Sequence, residues 1–135
     1  MSLSKAINRI TDQEARRCCL VTDPGQHDNP IVYATEFFLT YTGYSESEIL
    51  GRNCRFMQGP ETDPEDIAAL RQAVTECRGM TIDILNYRKD GTPFWNRLRI
   101  RATFKDGKAD SFIGVQNPIP KSEVRRGPFW DRPSD

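Results

Sequence analysis

The sequence predicts an α+β protein: a five-stranded antiparallel sheet with short helices and one longer helix on one face, preceded by an N-terminal flanking helix. Three observations predict this. Residues 80–88, 93–104 and 111–117 are strand-like runs separated by Asp90-Gly91 and Asp106-Gly107, both strong hairpin turns. Two shorter strand-like runs, 18–22 and 31–34, stand near the N-terminus. Between the two groups the signals are helical, and Thr62-Asp63-Pro64 opens the clearest helix.

In order along the chain, residues 3–17 read as a helix with Leu3, Ala6, Ile7 and Ile10 on one side. That stripe is too narrow to form a core alone, so the helix is expected to dock on the domain or on a second chain. Cys18–Thr22 is a first strand closed by Asp23-Pro24-Gly25, and Ile31–Ala34 a second after a loop through His27. Ser45-x-x-Glu48 before Ile49-Leu50 has the capping-box pattern, in which hydroxyl and carboxylate satisfy reciprocal backbone N–H groups. The helix from Pro64 carries Glu65 and Asp66 in its first turn, where the helix dipole favours acids. Its expected apolar stripe is Ile67, Leu70, Val74 and Cys77, and Gly79 stops it. The three units are thus a flank (1–17), a domain (18–117) and a proline-rich charged tail (118–135) expected to be extended or disordered.

Composition excludes several functions. Nineteen basic residues balance nineteen acidic ones, so no overall field draws the chain to nucleic acid or anionic lipid. No apolar run approaches the roughly 20 residues of a membrane-spanning helix. The opening Met-Ser-Leu-Ser-Lys lacks a secretory pattern, so a cytoplasmic place is expected. Cys18, Cys19, Cys54 and Cys77 show no C-x-x-C spacing and His27 is the only histidine, so no metal site is expected. With no second nucleotide motif and no acid–base pair, the chain is not expected to be an enzyme.

The strands contain an anomaly. Alternate residues of a strand share a face. Met80, Ile82, Ile84 and Asn86 form one such set, Phe94, Asn96, Leu98 and Ile100 another, and Phe112, Gly114 and Gln116 a third. Each apolar set contains one amide, and counting back from the turns aligns the three within about one residue. An unpartnered buried amide costs on the order of 1–3 kcal/mol. Three beside a glycine point to a bound flat heterocycle edged with C=O and N–H groups; the amides bonding one another is the alternative.

Residues 51–59 read Gly-Arg-Asn-Cys-Arg-Phe-Met-Gln-Gly. With Thr22-Asp23-Pro24, Asp28-Asn29-Pro30-Ile31, Gly59-Pro60-Glu61-Thr62-Asp63, Asn86-Tyr87-Arg88-Lys89-Asp90-Gly91, Phe94-Trp95-Asn96 and Phe112-Ile113-Gly114-Val115-Gln116, this closely resembles the light–oxygen–voltage (LOV) family, the flavin-binding photosensory branch of the PAS fold. The resemblance spans residues 18–117 in order and spacing.

The resemblance implies a blue-light receptor binding flavin mononucleotide (FMN). Cys54 matches the photoreactive thiol that forms a reversible thioether to flavin C4a while N5 gains the proton. Asn53 and Gln58 match positions that bond the ribityl chain or ring, Asn86 and Asn96 the pyrimidine edge, and Gln116 the amide near N5 and O4. Arg55 and Arg71 match the phosphate-binding arginines, a role suited to guanidinium forks. Thr22, Asn29, Met57, Leu70, Val74, Ile84, Leu98, Ile100, Phe112 and Gly114 match lining positions. Met57 stands where leucine is usual and Leu20 where smaller β-branched residues are frequent, so both are expected to alter the lifetime of the lit state. Signalling is expected to leave through Gln116 and the sheet. The alternative is a light-independent PAS module that binds flavin as a redox sensor.

No effector segment follows residue 117, so the output is expected to be self-association or a separate effector. The outward stripe Trp95, Arg97, Arg99 and Arg101 is expected to receive the N-terminal helix or a second subunit, which favours a homodimer.

Overall fold

The computed structural model describes residues 1–132. Its centre is an antiparallel sheet built from β1 (Cys18–Thr22), β2 (Ile31–Ala34), β3 (Met80–Tyr87), β4 (Pro93–Lys105) and β5 (Lys108–Gln116). The five run in the order β2-β1-β5-β4-β3. Two short strands enlarge it beyond the expected five: β6 (Pro118–Ile119) pairs with β4, and β7 (Phe129–Trp130) pairs with the free edge of β3. Gly91 and Gly107 adopt φ of 86° and 77° at the two hairpin turns, a region that costs glycine little.

On the inner face lie α3 (Glu36–Thr42), α4 (Glu46–Ile49), a 3-10 turn (Cys54–Met57) and the longer α5 (Pro64–Glu76). Thr35 caps α3. Asp63 caps α5 with Pro64 at its first position, as the sequence indicated. The expected stripe of α5 is rotated. Ala69 and Ala73 are its buried residues, packed with Met80, Ile82 and Ile84 of β3, while Ile67 and Cys77 are only half-buried. Small side chains let the helix approach the strand closely, and apolarity alone does not reveal that choice.

The expected single N-terminal helix is two: α1 (Leu3–Asn8) and α2 (Asp12–Ala15). Thr11 breaks them by forming a capping box with Glu14, which starts a new helix rather than continuing the old one. This flank covers the outer face. Ala6, Cys19, Val21, Ile113 and Val115 make a second small core there, flanked by Met1 and Ile10. Glu14 binds the Arg101 guanidinium through both oxygens, at 2.6 and 2.8 Å, and Arg9 pairs with Asp110.

The described part of the tail, residues 118–132, is an extended strap across the rest of the outer face. After β6 and a 3-10 turn (Lys121–Glu123), the Arg125 N–H donates to the buried Asp83 carboxylate at 2.7 Å. The Asp131 N–H then bonds Gly79 O at 2.9 Å, and the Asp131 carboxylate pairs with Arg99. Residues 133–135, also expected to be extended or disordered, lie outside the described residues. The stripe Trp95, Arg97, Arg99 and Arg101 is therefore occupied by the chain's own flanks: Trp95 pairs with Ile119, Arg97 reaches Asp83 and Glu123 O, and Arg101 reaches α2.

Candidate functional site

Between the inner sheet face, α5 and the 3-10 turn lies a cavity of about 580 Å³, counted out to its open mouth. Strand parity supplies most of its walls. Thr22 from β1, Asn86 from β3, Leu98 and Ile100 from β4, and Phe112, Gly114 and Gln116 from β5 face it together. Leu70 and Val74 of α5 form the opposite side, and Asn29, Cys54, Met57 and Gln58 close one end. Leu20 and Ile113 also line it; Leu20 faces inward by the same parity and could have been included, whereas Ile113 belongs to the outer core.

The register corrects the expected alignment of the amides. Ile84 pairs with Asn96 and Asn86 with Phe94, so Asn86 and Asn96 are offset by one same-face step. That diagonal lets them bond: Asn96 Nδ2 donates to Asn86 Oδ1 at 2.9 Å. Asn96 Oδ1 accepts the Asn117 N–H at 3.0 Å. Asn96 thus sits behind Asn86, fully buried and outside the cavity lining. Gln116 donates from Nε2 to Gly114 O at 3.0 Å, and its cross-strand partner is Cys18. The amides therefore do bond one another in part, yet Asn86 and Gln116 still face the cavity.

Cys54 opens the 3-10 turn, and Asn53 fixes that turn. Its Oδ1 accepts the Arg55 N–H at 3.0 Å and its Nδ2 donates to Asp28 O at 2.7 Å. Asp28 and Asn29 adopt φ of 65° and 48°, a left-handed pair that turns the loop beneath the Cys54 segment. Burial pushes the Cys54 thiol up; its own backbone N–H and the Arg55 charge pull the other way without prevailing. The thiol is therefore protonated near neutral pH. Burial likewise carries Cys18 and Cys19 up to about 12.

The remaining expected residues lie around the cavity rather than on it. Arg55 forms a bidentate ion pair with Asp28 at the surface. Arg71 is exposed on α5, Asn53 uses both amide ends on the protein, and Ile84 is fully buried against α5.

Two observations test whether the cavity suits a flavin. Thr22 Oγ1 and Asn29 Oδ1 are buried polar atoms with no partner among the described residues, and both residues line the cavity. Ribityl hydroxyls have the donors and acceptors such atoms need. At Gly114 an added Cβ would meet Gln116 Nε2 and Leu20 Cδ1 at 3.5 Å and Leu98 Cδ1 at 3.7 Å, ordinary contact distances. The protein's own packing does not require glycine there, and the missing side chain leaves that part of β5 open to the cavity. Among the described residues, no three His, Cys, Asp or Glu side chains gather as a metal site, and no helix is long and apolar enough to cross a membrane.

Comparison with known proteins agrees with this geometry. Residues 17–117 match the PAS domain family model. The chain is 46% identical over 107 residues to Blue-light-activated histidine kinase 1 of Erythrobacter litoralis (strain HTCC2594), covering 78% of this chain and 30% of that protein. It is 50% identical over 103 residues to Phototropin-2 of Oryza sativa subsp. japonica, covering 76% of this chain and 11% of that protein. The chain thus spans less than a third of the length of either. Among solved structures, the dark structure of the blue-light photoreceptor Aureochrome1 LOV superposes with a TM-score of 0.79 at 44% identity, covering 90% of this chain and 86% of that one. The LOV domain from Erythrobacter litoralis EL346 blue-light activated histidine kinase gives 0.74 at 38% identity, covering 78% and 97%. With the motif order, the sheet and the cavity in agreement, the chain belongs to the PAS domain family and, within it, to the LOV branch.

Proposed function

We propose that this chain is a blue-light receptor that binds FMN in the cavity and responds through Cys54. One observation carries the reading: the Cys54 thiol lines a cavity whose facing sheet presents Asn86 and Gln116 beside Gly114, a glycine the protein's own packing does not require. The names of the relatives, blue-light-activated kinases and photoreceptors, support it. Bound FMN supplies blue-light absorption and a ring carbon that can take a thiol.

The chain's residues do the rest. Cys54 brings sulfur and proton together to the cavity wall. Asn86 and Gln116 orient the ring edge, and Asn29 and Thr22 take the ribityl chain. Arg55 and Arg71 are the arginines assigned to the phosphate, with Arg55 exchanging Asp28 for it. Gln116 can present either end of its amide, so a change of donor and acceptor at the ring is felt on β5.

Output leaves through the flanks. Leu3 and Ile7 of α1 remain 60% and 43% exposed, and a second copy packing there gives a homodimer through the N-terminal segment; a separate effector is the other outlet. Cytoplasmic placement belongs to the same reading.

The test is an absorption spectrum in darkness and after a blue flash, repeated with Cys54→Ala. The expected result is reversible loss of the flavin's blue band in the parent chain and none in the variant. A flavin spectrum that never bleaches overturns light sensing and leaves a flavin redox sensor. Sedimentation in dark and light tests the homodimer.

A further inference from the structure

Asn117, the residue after β5, is half-buried and belongs to no strand. Its backbone N–H donates to Asn96 Oδ1 at 3.0 Å, and Asn96 Nδ2 donates to Asn86 Oδ1 at 2.9 Å. These two bonds fix the Asn96 amide. Turning it over would set its NH2 against the Asn117 N–H and its oxygen against Asn86 Oδ1, replacing two bonds with two like-like contacts. The Asn86 oxygen is thereby used within the protein, and its NH2, which donates to Leu85 O at 3.3 Å, is the end of the relay on the cavity side.

The other side of Asn117 reaches both flanks. Its carbonyl accepts the Arg97 N–H at 2.8 Å and its Nδ2 donates to Arg97 O at 3.1 Å. The Arg97 side chain holds Asp83 through bonds of 2.8 and 3.0 Å and also donates to Glu123 O, and Asp83 accepts the Arg125 N–H of the strap. On the N-terminal side, Arg17 Nη1 donates to Asn117 Oδ1 at 3.2 Å. Gln116, by contrast, donates within its own strand.

We propose that Asn117 is a positioning residue: it orients the Asn96–Asn86 amide relay and ties it to both flanks, so that filling the cavity tightens the seat of the strap. The proposal rests on the reading that FMN fills the cavity. Coupling of this kind is reciprocal and is measured as a ratio between the two states of the site.

Amide hydrogen exchange at Arg125 and Asp131, whose N–H groups seat the strap, reads that ratio in the FMN-loaded and FMN-free chain. Loading is expected to slow both amides about tenfold, within the common coupling range. In Asn117→Ala, which keeps the backbone N–H but loses the bonds to Arg97 O and Arg17, the ratio is expected to fall below about twofold while FMN still binds. A merely structural role for Asn117 would speed exchange in both states and leave the ratio unchanged. If Asn117→Ala does not fold, Asn117→Asp carries the test, since it matches the size, keeps the acceptor for Arg17 and sets a charged acceptor in place of the donor to Arg97 O. A ratio near one in the parent chain, or a parent-like ratio in the variant, overturns the proposal. Absence of FMN binding overturns the underlying reading as well, whereas binding without coupling overturns this proposal alone.

Discussion

Replacing Gly114 by alanine separates what the fold requires from what the ligand requires. The added Cβ would meet its nearest neighbours at 3.5, 3.5 and 3.7 Å, which is contact without overlap. The fold therefore has no reason to reject it. Restricting the unfolded chain stabilises a compatible Gly→Ala site by about 0.4–1 kcal/mol. The same methyl stands where a flat ring would lie against β5, and one surplus carbon in a packed site costs roughly 1–3 kcal/mol. At about 1.4 kcal/mol per tenfold, that weakens FMN binding about 5- to 150-fold. Titrating FMN-free protein with FMN gives the affinity, and thermal melting of the same FMN-free sample gives the stability. An affinity equal to that of the parent chain would refute the placement of the ring on Gly114. So would joint loss of fold and binding, because the glycine would then be structural.

Other expectations follow from single contacts. Gln116→Leu removes the only amide on β5 and is expected to keep light-driven bleaching while shrinking the light-dependent change in flank exchange; a full-sized change would count against Gln116 as the outlet. Thr35→Val removes a buried hydroxyl that donates to Arg17 O at 2.7 Å and accepts the Cys19 N–H at 3.0 Å while capping α3. Losing the cap and stranding that N–H should cost about 2–4 kcal/mol in denaturant unfolding, and a cost under about 1 kcal/mol would contradict this. For Asp83, burial alone would raise the carboxyl, but the Arg97 fork and the Arg125 N–H outweigh it and hold the carboxyl below its usual range. A depressed folded value gives stability that is complete above the unfolded value of about 3.9 and is lost as pH falls through the folded one. The protection factor of the Arg125 amide, its exchange rate divided into the intrinsic rate at each pH, should thus show no carboxylate-linked loss between neutrality and about pH 5 and should fall as pH drops through the depressed folded value. Asp83→Asn should loosen the strap at neutral pH and abolish that acid step.

Much of the inner face was legible because strand parity is local. Asn86, Leu98, Ile100, Phe112, Gly114 and Gln116 all reached the cavity from a count of two. Register is not local in that way. The one-step offset of Asn86 from Asn96 depends on how the β3–β4 turn spends its residues, and it turned two parallel amides into a donor–acceptor relay. The split of the N-terminal helix could have been read from Thr11-x-x-Glu14, since that spacing is a start signal. The strap could not. Its anchors join Arg125 to Asp83 and Asp131 to Gly79 and Arg99 across more than thirty residues, and no pattern within residues 118–132 names those partners. Arg55 shows the same limit: a guanidinium fork suits a phosphate and a carboxylate alike, and here Asp28 lies within its reach.

β5 separates two cores. Gly114 and Gln116 serve the cavity while Ile113 and Val115 serve the outer cluster. Inserting one residue within this strand would trade those roles, pushing two branched aliphatics into the cavity and an amide into the outer core. The hairpin tip escapes this rule. Asp106 and Gly107 are exposed, have φ of 53° and 77°, and lie beyond the last paired residues, Lys105 and Lys108. Added sequence at that tip leaves both faces of the sheet as they are, so it is the place to graft a tag or a reporter domain, or to open new termini by circular permutation.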